Sequence, residues 1–238
     1  MADKKQLNDL LKWSIENSTK GEDNTTDTQV PLRTPNADAI KALLGGPSDA
    51  DLMVAAMTNI TSPDPEITRE SKLTAFDNLE QLIESLDNAN LLAKLGLWTP
   101  LVELLGHDEA EFRLMAAWVV GTAVQNNPPC QERLVALGGI EKLVAMALGR
   151  RVGMEKRAGD GDIVTEDGNA GEVETKDVRK KAVYALSSAC RNYQPAMDVL
   201  SSELVKQAGK PEGEKVESTD MDAVDTVINE LREKVASA

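Results

Sequence analysis

The stretch LLAKLGLWTPLV, residues 91–102, returns 42 positions later as RLVALGGIEKLV, residues 133–144. Leu92, Leu95, Gly96, Leu101 and Val102 of the first copy become Leu134, Leu137, Gly138, Leu143 and Val144 of the second. Ala75 and Phe76 stand 42 positions ahead of Ala117 and Trp118. A further copy is displaced by 66 positions, so that Arg113, Ala116, Trp118 and Asn126 match Arg179, Ala182, Tyr184 and Asn192. The two displacements differ by 24 residues, and the segment around 150–176, rich in Gly, Asp and Glu and without helical periodicity, supplies the insertion. Self-similarity at a fixed period of this size marks a chain built by stacking one supersecondary unit.

Apolar spacing predicts helices over residues 37–44, 49–60, 66–86, 88–95, 98–105, 109–126, 130–137, 139–148, 176–192, 195–207 and 220–236. A unit of about 42 residues made of helices has the length of an armadillo or HEAT repeat. A short helix ending in Leu95-Gly96 or Leu137-Gly138, then a second helix, then a third carrying the aromatic position, favours armadillo. The expected fold is therefore all-α, an armadillo-like solenoid over residues 37–207 with an acidic loop inserted at about 150–176. A polar linker over 208–219 leads to a C-terminal amphipathic helix over 220–238, announced by Thr219 and Asp222 as a capping box. Ahead of the solenoid, residues 1–17 place Leu7, Leu10, Leu11 and Ile15 on one helical face, and 18–36 read as a flexible linker too polar to offset chain entropy.

Composition agrees with this and narrows the function. Apolar residues make up 41% of the 238 positions but aromatics only 3%, so the core comes from Leu, Val, Ala, Met and Ile, as helices prefer. Forty acidic residues against 26 basic ones leave a net charge of −14, which repels nucleic acid and anionic lipid. Cys130 and Cys190 form no CxxC, and the lone His107 sits in a loop without a base or nucleophile beside it, so no metal, no cofactor and no catalytic residue is expected. No apolar run reaches the roughly 18 residues a membrane span needs, which predicts a cytoplasmic chain. Stacked repeats expose a long concave surface, so the chain is expected to bind another protein and, being capped, to be a monomer.

Candidate binding residues follow from the third helices. Trp118 and Tyr184 share a repeat position and either face the groove or pack between helices. Thr122, Gln125, Ser188 and Arg191 extend a polar stripe from them. Glu80 and Glu84, with Asp77 and Gln81, make a polar face opposite Phe76, Leu79 and Ile83, and such a face either meets a basic partner or stays wet. Asn126 and Asn192 recur at helix ends, where Asn caps. The carboxylates of the insertion, Asp160, Asp162, Glu166, Asp167, Glu172 and Glu174, lack the pattern of a calcium loop and read as solvated.

Several ordered motifs carry a more specific likeness. Leu10-Leu11-Lys12-Trp13-Ser14-Ile15-Glu16-Asn17-Ser18 resembles the opening of the fungal armadillo-type nucleotide-exchange factors of heat-shock protein 70 chaperones. Ala75-Phe76-Asp77-Asn78-Leu79-Glu80, Ile83 through Asn90, Leu97-Trp98-Thr99-Pro100-Leu101, Gly121 through Asn127 and Tyr184 through Ser188 are similar to the same family. The resemblance implies that the concave face cups one lobe of the chaperone's ATPase domain and favours its open, ADP-releasing state. It also implies a mobile N-terminal segment competing for the client groove, for which Leu10, Leu11, Trp13 and Ile15 are the candidates. The family's longer members continue with further repeats, whereas Pro195 to Ala238 here supplies only two helices. The competing reading is a general armadillo adaptor that clamps extended peptides with Trp followed by Asn one turn on. Thr122 and Ser188 stand where those Asn residues would be, so that ladder is missing.

Overall fold

The structure, a computed structural model, describes residues 46–152, 174–209, 211 and 215–237. The readings made on the N-terminal helix and linker, on the helix at 37–44 and on most of the insertion lie outside these residues. The unit from Asp49 onward contains α1 (Asp49–Thr61), α2 (Arg69–Ile83), α3 (Leu86–Lys94), α4 (Trp98–Glu103) with a 3-10 turn at Leu104–Gly106, α5 (Ala110–Ala123), α6 (Pro128–Ala136), α7 (Gly139–Ala147), α8 (Lys176–Cys190), α9 (Gln194–Ala208) and α10 (Met221–Ala236). No strand occurs among the described residues.

Local chemistry sets the boundaries. Helix α2 starts at Arg69 rather than at the expected 66, because extended Thr68 accepts a hydrogen bond from the Ser71 amide at 3.1 Å. The recurring Leu-Gly pair closes α3 and α6: Gly96 and Gly138 have φ of 70° and 68°, a left-handed conformation that a Cβ disfavours. Asn126 and Asn192 follow α5 and α8 with φ of 50° and 56°, the helix-ending role expected of them. The cap of α10 is neither Thr219 nor Asp222. Asp220 is the residue directly before the first turn, and its carboxylate accepts from the Ala223 amide at 3.1 Å.

The helices form two layers. Third helices α2, α5 and α8 pack each against the next, with α10 packed on α8 at one end of the row; α1 packs on α2 and also meets α3 and α4. Helices α3, α4, α6, α7 and α9 make the second layer, in which α9 packs on both α6 and α7. Leu92, Leu101, Leu134 and Leu143, the residues that revealed the period, are all fully buried. The period is also a physical translation. Thr122 donates to Glu80 at 2.7 Å and Arg69 pairs with Glu111, each bond joining residues 42 apart.

Glu174 departs from the expectation of a solvated acidic loop. Its carboxylate is wholly buried and accepts from Arg113 Nε and Nη2, both at 2.7 Å, while its amide donates to the Gly149 carbonyl at 3.0 Å. Arg113 also donates from Nη1 to the carbonyls of His107 and Asp108, at 2.6 and 2.7 Å. A guanidinium carried into a core needs a counter-charge and a full set of acceptors, and the end of the insertion delivers the charge.

Candidate protein-binding face

The outward side of the α2–α5–α8–α10 row carries the candidate residues, and its centre is the α5–α8 contact. Gly121 makes this contact close: a Cβ there would lie 2.5 Å from Tyr184 Cε1 and 3.2 Å from Ala185 Cα. The Tyr184 ring therefore rests across a glycine. Lys181 Nζ sits 4.1 Å from the centroid of the Trp118 ring and 5.6 Å from that of Tyr184. An ammonium over a Trp face is held by the ring quadrupole, so the three side chains form one aromatic–cationic cluster spanning two repeats. Trp118 and Tyr184 are half-buried: each packs between helices with one part and reaches the surface with another.

The other candidates divide by exposure. Gln125 and Glu84 are exposed, and Thr122 and Ser188 are half-buried one turn beyond the two aromatics. Glu80 is only 6% exposed and is held by the Thr122 hydroxyl, so it joins α2 to α5 instead of standing on a wet polar face. Arg191 is engaged within the fold, donating to Ser187 Oγ at 3.3 Å and to Met221 Sδ at 3.4 Å and pairing with Asp225. It holds α10 to α8. Phe76, one repeat before Trp118, is fully buried and meets the Phe112 ring edge-on with centroids 5.7 Å apart. The aromatic position thus changes from core to surface along the row. Leu10, Leu11, Trp13 and Ile15 lie outside the described residues.

Sequence reasoning passed over Lys181. The signal available was its place three residues before Tyr184 on one helical face; its contact with Trp118 arises only when two repeats stack.

The face offers contacts rather than covalent chemistry. Burial pushes the Cys130 and Cys190 thiols up to about 11 and about 12, far from a thiolate nucleophile at neutral pH. His107 stacks on Phe112 with centroids 4.5 Å apart and its Nδ1 accepts from the Glu109 amide, which occupies the ring in the fold. Among the described residues no group of His, Cys, Asp or Glu is arranged to hold a metal, and no helix is long and apolar enough to cross a membrane.

A row of stacked third helices with an open polar and aromatic face defines an armadillo-like repeat protein. Residues 7–92 match the family model described as nucleotide exchange factor Fes1. The chain is 52% identical over 241 residues to the Hsp70 nucleotide exchange factor FES1 of Gibberella zeae, covering all of both chains. With fes-1 of Neurospora crassa it shares 45% identity over 266 residues, 98% of this chain and 99% of that one. The relative in Yarrowia lipolytica is 38% identical across 82% of this chain, which spans only 59% of that longer protein. A solved engineered protein superimposes with a TM-score of 0.48 at 19% identity, over 84% of this chain and 67% of that one. The chain belongs to the Fes1 family of nucleotide-exchange factors.

Proposed function

We propose that this chain is a nucleotide-exchange factor that binds the ATPase domain of a cytosolic heat-shock protein 70 through the concave, third-helix face of its solenoid. The observation that carries the reading is the Trp118–Lys181–Tyr184 cluster, an open patch of two half-buried aromatics and a cation at the middle of the row. Aromatic anchors at the centre of a patch are the usual seat of binding energy. Glu84, Thr122, Gln125 and Ser188 are the further contacts proposed, while Glu80 and Arg191 hold the helices that present the anchors.

Exchange follows from linkage. If the chain binds the open state of the ATPase domain better than the closed, ADP-holding state, it weakens ADP by the same factor by which ADP weakens the chain. ADP leaves, ATP enters and the client is released, without any bond made or broken by the exchange factor. Leu10, Leu11, Trp13 and Ile15 are proposed to occupy the client groove during that release.

Reciprocity gives the test. The dissociation constant for a purified chaperone ATPase domain, measured by fluorescence anisotropy of the labelled chain, is expected to rise about 5- to 150-fold when ADP is added to nucleotide-free protein. An affinity indifferent to ADP would leave only an adaptor.

A further inference from the structure

A second feature lies at the end of the same face, between α8 and α10. There Lys176, Lys180 and Arg232 stand around a floor of Val183, Val235 and the edge of Tyr184, enclosing a groove of about 350 Å³. In a chain of net charge −14 a group of three cations is unusual in itself. Among the described residues two of the three have an uncharged hydrogen-bond partner. Lys176 Nζ donates to the Ala236 carbonyl at 2.8 Å, Arg232 Nη1 donates to Asn229 Oδ1 at 2.9 Å, and Lys180 meets the carboxylate of Asp177 at 3.0 Å. That pair is exposed, with side-chain accessibilities of 60% and 74%, so a partner's carboxylate can replace Asp177 at little cost.

Sequence spacing explains the arrangement. Lys176, Lys180 and Tyr184 are four residues apart on α8, one above another on a single helical face. Arg232 and Ala236 are likewise four apart on α10 and face them across the groove. Tyr184 belongs both to this groove and to the central cluster with Lys181 and Trp118, so the two surfaces are continuous.

From this juxtaposition we infer that the α8–α10 groove is a second docking point for the chaperone, taking an acidic segment of its surface that offers an apolar side chain flanked by carboxylates. The apolar side chain fills the floor of Val183 and Val235, and the carboxylates meet Lys180 and Arg232, where an arginine fork accommodates two oxygens. A volume of about 350 Å³ holds one or two side chains, not a helix, so the groove reads a short segment. Charge complementarity of this type fixes orientation and speeds encounter. The groove would thus set which way round the chaperone lies along the row. This inference rests on the third-helix face being the chaperone-binding face.

The experiment compares three chains for binding to full-length heat-shock protein 70 in nucleotide-free buffer, by biolayer interferometry at low and at moderate salt. Lys180→Glu with Arg232→Glu is expected to weaken binding about tenfold or more, mainly through slower association and more strongly at low salt. Lys180→Gln with Arg232→Gln is expected to weaken it about threefold, by removing attraction without adding repulsion. Both positions are exposed, so the far-ultraviolet circular dichroism and melting curve should stay as in the parent chain. Lys181→Glu, at the central cluster, is the third chain and addresses the face as a whole. Full affinity in both groove variants with a loss in Lys181→Glu would overturn the groove while keeping the face. Full affinity in all three would overturn the face and the groove with it.

Discussion

Arg113 and Arg179 occupy one position of the repeat, 66 residues apart, and the fold satisfies them in different ways. Arg113 receives the buried Glu174 carboxylate, which comes from the end of the insertion. Among the described residues Arg179 receives backbone carbonyls alone: Ala147 in the last turn of α7 at 3.1 Å, and Lys234 of α10 at 3.2 Å. The same guanidinium therefore anchors a loop in one repeat and the closing helix in the next. Repetition supplies the donor, and the irregular parts of the chain, the insertion and the C-terminal helix, supply what it binds.

The largest effect should come from removing the charge that only one of the two possesses. Glu174→Ala leaves Arg113 buried and uncompensated and should cost about 3–5 kcal/mol, read from urea unfolding followed by circular dichroism. Replacing both partners, Arg113→Met with Glu174→Leu, should recover most of that loss, since an apolar pair of similar size needs no counter-charge. A loss as large in the double variant as in the single would mean that the pair itself, not the stranded charge, is what matters.

Arg179→Met tests the other half. It removes two hydrogen bonds from a charged donor and should cost about 2 kcal/mol, less than Glu174→Ala. Its signature should be local, with faster amide exchange concentrated in α10, because Lys234 loses its tie. Asp225→Ala, which frees Arg191 at the opposite end of α10, should cost under about 1 kcal/mol, because both groups are partly exposed. Equal effects at Arg179 and Asp225 would remove the distinction between a buried and a surface tie.

A further effect concerns pH. Burial raises both thiols, Cys130 to about 11 and Cys190 to about 12, from the ordinary 9.0. In the unfolded chain they ionise above pH 9.0 while in the fold they stay protonated. Their contribution is whole below pH 9.0 and is lost as pH rises through 11 and 12. The urea midpoint should therefore fall between pH 8.5 and 10.5 by about a molar, and Cys190→Ala should flatten that slope.

Much of this architecture was legible because core positions repeat. Leu92 and Leu134 are alike since each fills the same place under a third helix, and the Leu-Gly pairs are alike since each ends a helix in the left-handed region. The helix ends were less legible: Thr68 and Asp220 were fixed by which oxygen reaches which amide, something periodicity does not record. Glu174 was not legible at all. It closes a segment rich in Gly, Asp and Glu, and its burial depends on an arginine 61 residues away. The candidate face was half visible. Trp118 and Tyr184 stood out by their shared position, but Phe76 shares it too and is buried against the Phe112 ring of α5. Lys181 joins them only through stacking.

The most direct test of the central claim is the release of a fluorescent ADP analogue from purified cytosolic heat-shock protein 70, followed by stopped flow as this chain is added in increasing amounts. The account predicts an acceleration that saturates with concentration and is reduced at each subsaturating concentration by Lys181→Glu. A release rate unchanged at every concentration, with the chain folded and helical, would contradict it.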